Sequence, residues 1–189
     1  SVSTVNSPSG EQNAYKLESD GSNLFARVDY VVSITSGNNI FYSVFLKNSG
    51  TNNIATIRVE GTNIDSSATN STYEFNFSTE TISRRTGGTA ISTLVQNVGN
   101  GWYRVGIEVS NSTITNANIY PSFSDANGGE VLIYGAQVEE GSYATSYIPT
   151  SGSTVTRVQD QYSKTGISNL INSEEGVLFV EMAALSNDL

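Results

Sequence analysis

Apolar and polar residues alternate along most of this chain with a period of two, the spacing that puts successive side chains on opposite faces of an extended strand. The runs are separated by clusters rich in Gly, Asn and Ser that favour tight turns: Ser36-Gly37-Asn38-Asn39, Asn48-Ser49-Gly50, Gly87-Gly88, Gly99-Asn100-Gly101 and Asn127-Gly128-Gly129. Strands are predicted over Ala14–Ser19, Leu24–Ile34, Asn39–Lys47, Ile54–Glu60, Tyr73–Ser78, Ile91–Asn97, Gly101–Ser110, Asn116–Phe123 and Glu130–Glu139. No stretch repeats its apolar positions at helical spacing over three turns. Short strands with a turn signal after each predict an all-β fold, a two-sheet antiparallel β-sandwich of jelly-roll type.

The alternation also assigns faces. In Gly101–Ser110 it turns Tyr103, Val105, Ile107 and Val109 to the core and leaves Trp102, Arg104, Gly106 and Glu108 on the other side. Ala55, Ile57 and Val59 go inward, with Thr56, Arg58 and Glu60 outward, and Tyr73, Phe75 and Phe77 go inward. Ile119 and Phe123 face the core while Asn118, Tyr120 and Ser122 face away. Ile40, Tyr42, Val44 and Leu46 are placed inside, opposite Phe41, Ser43, Phe45 and Lys47. In Glu130–Glu139 the predicted core residues are Leu132, Tyr134, Ala136 and Val138, and Gln137 points out.

After Glu140 the pattern gives way to an irregular aromatic stretch, Gly141–Arg157, too apolar for a free linker and expected to wrap the sandwich. The expected division is a sandwich over residues 1–160, a polar linker over 161–175, and over 176–189 the first strand of a second domain, carried by the apolar run Glu175-Gly-Val-Leu-Phe-Val-Glu-Met-Ala-Ala184.

Composition narrows the function classes. Lys and Arg number 9 against 18 Asp and Glu, a net charge of -9, so the chain would repel a phosphate backbone, and nucleic acid is not an expected partner. Neither Cys nor His occurs, which removes thiolate nucleophiles, imidazole bases and the usual zinc ligands. No apolar run is long enough to span a bilayer as a helix, so membrane insertion is not expected. The doublets Glu139-Glu140 and Glu174-Glu175 could suggest glycoside hydrolysis, which needs two carboxyls held roughly 5–9 Å apart across a cleft. Neighbours on a strand point to opposite faces, so neither doublet forms such a pair by itself, and no catalytic residue is assigned.

Gly101-Trp-Tyr-Arg104 and the long stretch Tyr134-Gly-Ala-Gln-Val-Glu-Glu-Gly-Ser-Tyr-Ala-Thr-Ser-Tyr-Ile-Pro-Thr-Ser-Gly-Ser-Thr-Val-Thr-Arg157 resemble the carbohydrate-binding-module-like β-sandwich domains of phage tail and appendage proteins and of secreted polysaccharide-active enzymes. Ser7-Pro-Ser-Gly10, Ala14-Tyr-Lys-Leu17 and Phe41-Tyr-Ser-Val-Phe-Leu-Lys47 fit the same pattern, so the likeness covers roughly Ser1–Asp160. Thr165–Glu181 resembles the opening of a laminin-G or concanavalin-like domain. The resemblance implies a non-catalytic module that binds a polysaccharide or surface glycan, located extracellularly or on a virion surface. It also implies a strand preceding Ser1, which the fold would lack or borrow from another chain. The alternative is a spacer or homo-oligomerising unit of an appendage with no sugar site.

On the glycan reading the outward residues Lys47, Arg58, Trp102, Arg104, Tyr120 and Gln137 would form one shallow face of rings and donors, suited to an acidic polysaccharide. On the structural reading Trp102 and Arg104 instead support the wrapping segment through Tyr143, Tyr147 and Pro149. A structural calcium ion is the expected cofactor, if any, with Asp20, Asp125 and Asp160 supplying carboxylate oxygens; ordinary capping of turns by the same aspartates is the alternative.

Overall fold

The structure, a computed structural model, describes residues 4–19, 27–35, 38–50, 53–65, 67–110, 113–121, 129–150 and 153–156. The chain divides into two units, Ser1–Ser151 and Gly152–Leu189. The strands described here all belong to the first. The predicted linker and second-domain strand, together with Asp20, Phe123, Asp125 and Asp160, lie outside the described residues.

Among the described residues of the first unit there are ten strands: β1 (Tyr15–Ser19), β2 (Val28–Thr35), β3 (Ile40–Asn48), β4 (Ile54–Ile64), β5 (Ala68–Asn76), β6 (Thr81–Gly87), β7 (Ser92–Gly99), β8 (Trp102–Val109), β9 (Thr113–Tyr120) and β10 (Gly129–Glu140). They make two five-stranded sheets, β1-β10-β3-β8-β7 (sheet A) and β2-β9-β4-β5-β6 (sheet B), every pairing antiparallel. The fold is therefore the all-β sandwich that the alternation predicts. One strand escapes the sequence pattern: β6, Thr-Ile-Ser-Arg-Arg-Thr-Gly, is an exposed edge strand that turns only Ile82 to the core, so it carries no alternation. Its arginines blunt the edge; Arg85 pairs with Glu74 of β5, and Arg84 donates to Gly87 O at 2.6 Å.

The core between the sheets collects Ile40, Tyr42, Val44 and Leu46 of β3, Ala55, Ile57 and Val59 of β4, Tyr73 and Phe75 of β5, Tyr103, Val105, Ile107 and Val109 of β8, and Ala117 and Ile119 of β9. Apart from Ala117, which the sequence analysis did not assign, these belong to its inward sets. The prediction for β10 is half wrong. Val131 and Ile133 face this core, whereas Leu132 and Tyr134 point the other way. The register shows why: Tyr134 pairs with Phe45 but Gln137 pairs with Ser43, so β10 carries one extra residue there. Gly135, at φ 58°, adopts the left-handed conformation such a bulge requires. The bulge reverses the parity, so that Ala136 and Val138 do face the core and Gln137 faces out, as expected.

Part of the outer side of sheet A is also buried. All eight residues of β8 are buried, and a second apolar cluster of Ala14, Phe45, Trp102 and Leu132, flanked by Val5, Val98, Tyr134 and Tyr147, lies there. Two irregular segments cover it. The N-terminal hook turns at Ser7-Pro8-Ser9-Gly10, where Gly10 N donates to Ser7 O at 2.9 Å. The C-terminal strap leaves β10 at Glu140.

Two outcomes follow. Gly106 lies on β8 beneath the Phe41 ring, and a Cβ there would come within 2.6 Å of Phe41 Cε1 and 2.7 Å of the Tyr42 carbonyl oxygen. Because the second contact is backbone, Gly106→Ala should destabilise the fold by about 1–3 kcal/mol in denaturant melts; an unchanged midpoint would contradict the packing of this face. At the β1 edge, Lys16 bridges Glu18 and Glu130 at 2.9 and 3.0 Å. The Lys16 hydrogen bond, with help from Ser49, holds the Glu130 carboxyl below the usual glutamate range, and Glu18 and Glu130 hold the Lys16 ammonium above the usual lysine range. A depressed carboxyl stabilises above its unfolded pKa and stops doing so as pH falls through its folded one. A raised ammonium does the same in the opposite direction at alkaline pH. Amide exchange in β1 should accelerate, relative to β8, below the usual glutamate range and again above the usual lysine range, and stay flat between.

Candidate functional site

The six residues assigned to one binding face are divided between the two outer faces of the sandwich. Lys47, Trp102, Arg104 and Gln137 lie on the outside of sheet A, in β3, β8 and β10; Arg58 and Tyr120 lie on the outside of sheet B, in β4 and β9. Packed sheets are roughly 10 Å apart, so no ligand touches both groups across the core. Period-two alternation gives the side of a strand but not its sheet, and that is where the expectation of one face failed.

On sheet A the rings and donors hold the chain's own flanks. Trp102 is 2% exposed. Its indole N–H donates to Asn6 O at 3.0 Å, and its ring packs with Ala14, Phe45 and Leu132, so it anchors the hook rather than the wrapping segment named in the structural reading. It does lie on the same side of β8 as Arg104 and Glu108, as strand parity places it, but that side is covered. Arg104, 6% exposed, donates from Nη1 to Thr145 O at 2.6 Å and from Nη2 to Ser43 Oγ at 3.0 Å, and its Nη2 lies 4.0 Å from Glu139 Oε2. Burial pushes its pKa down, and Glu139 partly offsets this. The Phe45 ring takes the guanidinium carbon at 5.3 Å from its centroid.

Gln137 and Glu139 finish the attachment. Ile148 N donates to Gln137 Oε1 at 2.9 Å, Gln137 Nε2 reaches Ser146 O at 3.5 Å, and Thr145 donates both its amide, at 3.1 Å, and its hydroxyl to Glu139. Tyr147 then packs against Tyr134 and Phe45, at centroid distances of 5.3 and 6.2 Å. Lys47 donates from Nζ to Asn100 O at 2.7 Å, bracing the β7–β8 turn. In that turn Asn100 and Gly101 take φ 54° and 77°, the left-handed pair of a two-residue hairpin.

Sequence reasoning missed Glu139, Ser43, Phe45, Leu132 and Asn6 as members of this clamp. The signal available was that β3 carries apolar side chains on both faces, Phe41 and Phe45 opposite Tyr42 and Val44, which a one-sided sheet does not need.

On sheet B, Tyr120 is 1% exposed, with Arg27 at 5.8 Å from its ring centroid, and burial pushes its hydroxyl pKa up. Arg58, half-buried, pairs with Glu60 at 2.8 Å. Neither presents an open platform. Asp20, Asp125 and Asp160 lie outside the described residues, and among the described residues no three acidic side chains gather as a metal site would need. Among those residues there is also no helix long and apolar enough to cross a membrane.

Among the described residues, shallow depressions remain on the outer side of sheet A: one of about 360 Å³ beside the hook, bordered by Val5, Pro8, Lys47, Val98, Asn100 and Trp102, and one of about 240 Å³ between β7, β8 and the strap, bordered by Phe41, Ser92, Leu94, Gln96, Arg104 and Tyr143. Tyr143 stands 70% exposed at the rim of the second.

The clamp predicts the mutational pattern. Trp102→Ala should cost about 3–5 kcal/mol in denaturant melts, the range for a buried aromatic, whereas Lys47→Ala and Arg58→Ala should each stay within about 1 kcal/mol of wild type, as partly exposed charges do. A Trp102→Ala protein as stable as wild type would restore the ring to the role of a ligand platform. No family model matches the chain, and no curated protein matches it.

Proposed function

We propose that this chain is a non-catalytic β-sandwich module of a larger extracellular or virion-surface protein, acting as a rigid spacer whose two flanks are pinned to one sheet. The observation that carries this reading is the use of Trp102, Arg104, Gln137 and Glu139 to hold the hook and the strap. A spacer must transmit position from one neighbour to the next, and hydrogen-bonded, apolar-packed flanks do so where free linkers do not. The chain's only tryptophan offers the test, since it reports the cover while far-ultraviolet circular dichroism reports the strands. Trp102 fluorescence and dichroism should follow one coincident unfolding transition. A fluorescence transition preceding the loss of strands would mean that the cover peels away first, and the spacer reading would fall.

A second reading, surface-glycan binding, is favoured by one specific observation. The Tyr143 ring is exposed beside a depression with both apolar and hydrogen-bonding borders, the mixture on which sugar rings stack. A spacer and a sugar-binding surface can share one module. This reading no longer uses the six-residue face, and with that face goes the preference for an acidic polysaccharide, because Lys47 and Arg58 stand on opposite sheets. The measurement that tests it is the response of the full chain on a glycan array.

A further inference from the structure

The depression beside the strap is the one with an exposed aromatic ring on its border, and its borders restrict what can enter. At about 240 Å³ it is smaller than the roughly 300–1,000 Å³ of sites for drug-sized ligands, so it takes a single small ring. Phe41 and Leu94 supply apolar surface. Ser92 and Gln96, paired across from Glu108 and Arg104, share the outer face of β7 with Leu94; the Gln96 amide can both donate and accept, whereas the Ser92 hydroxyl, which donates to Glu108, can accept. The exposed Tyr143 ring borders the opening.

Charge decides among small rings. Among the described residues Arg104 is the one charged side chain on the border, and its guanidinium already faces Glu139 at 4.0 Å and is bonded to Thr145 O and Ser43 Oγ. Further along the same face of β8, Glu108 is buried, accepting from Asn39 Nδ2 and from Ser92 Oγ, each at 2.7 Å. One guanidinium thus stands against two carboxylates, on a chain of net charge -9. An anionic ligand would bring a third negative charge to a border whose single cation is already engaged. A cationic one would meet carboxylates whose donors are already placed and, for Glu108, buried. An uncharged polyol faces neither cost: its hydroxyls match serine and amide groups, and its C–H face matches an aromatic ring.

We propose that the depression between β7, β8 and the strap binds one ring of an uncharged saccharide, with Tyr143 as the stacking ring and Ser92 and Gln96 as its hydrogen-bonding side chains. This rests on the glycan-binding reading and narrows it to a place and a charge class.

The test uses the full chain on an array of neutral oligosaccharides of glucose, galactose, mannose and N-acetylglucosamine, beside uronic-acid and amino-sugar oligomers, followed by titration of the best neutral binder. Neutral sugars should bind with an affinity indifferent to salt. Tyr143→Ala and Gln96→Ala should each weaken that binding about tenfold, with melting midpoints unchanged. Neutral binding that survives both substitutions would place the site elsewhere and overturn the inference. Binding confined to acidic or amino sugars would overturn the charge class while leaving glycan recognition standing. No binding to any sugar would overturn both.

Discussion

A buried guanidinium must find partners, and much of the outer face of sheet A is arranged around that of Arg104. Desolvation penalises its charge, and an uncompensated buried ion costs several kcal/mol. The nearest carboxylate, at 4.0 Å, is too far for a hydrogen bond. Compensation therefore falls to the Thr145 carbonyl at 2.6 Å, the Ser43 hydroxyl and the Phe45 ring, and a hydrogen bond to a charged group contributes about 1.5–3 kcal/mol. Of these, only Thr145 comes from outside the sheet. Without the strap in place, Arg104 would lose that partner and the cover above it.

The strap in turn keeps the second apolar cluster dry. Tyr147 lies against Tyr134 and Phe45, and Phe45 belongs to the cluster that contains Trp102 and Leu132. The hook closes the other end through Trp102 and Ala14. The bulge at Gly135 makes the arrangement geometrically possible, because it lets Tyr134 and Gln137, three positions apart on one strand, point to the same side. Counted from an outward Tyr134, unbroken alternation would have sent Gln137 and Glu139 into the core, where neither could reach the strap.

How much of this was legible in the sequence follows from what alternation can report. It gave the strands, the sandwich and the inward faces of β3, β4, β5 and β8, because those strands present unbroken apolar sets to one core. It missed β6, whose exposed edge needs no such set, and it misassigned Leu132 and Tyr134, because a bulge is a local change of parity that a glycine alone does not announce. It placed Trp102 and Arg104 correctly on the outer side of β8 but could not show that this side is covered. Parity ranks residues by face, whereas cover depends on contacts between segments far apart in sequence, such as Asn6 with Trp102 and Arg104 with Thr145. The division of Arg58 and Tyr120 from the other four was invisible for the same reason. The phrase Gly-Trp-Tyr-Arg followed later by Tyr-Ile-Pro-Thr was the useful clue, since one supplies a buried cation and the other lies within the segment that covers it.

The central claim is that the strap is held by specific hydrogen bonds to buried or half-buried side chains, and amide hydrogen exchange of the full chain addresses it at two named positions. The Thr145 amide donates to Glu139 and the Ile148 amide to Gln137, neither as part of a strand ladder. The account predicts that both exchange far more slowly than unstructured amides and that Arg104→Ala accelerates Thr145 more than the amides of β8. Free-chain exchange at Thr145 and Ile148 in the wild-type protein would contradict it.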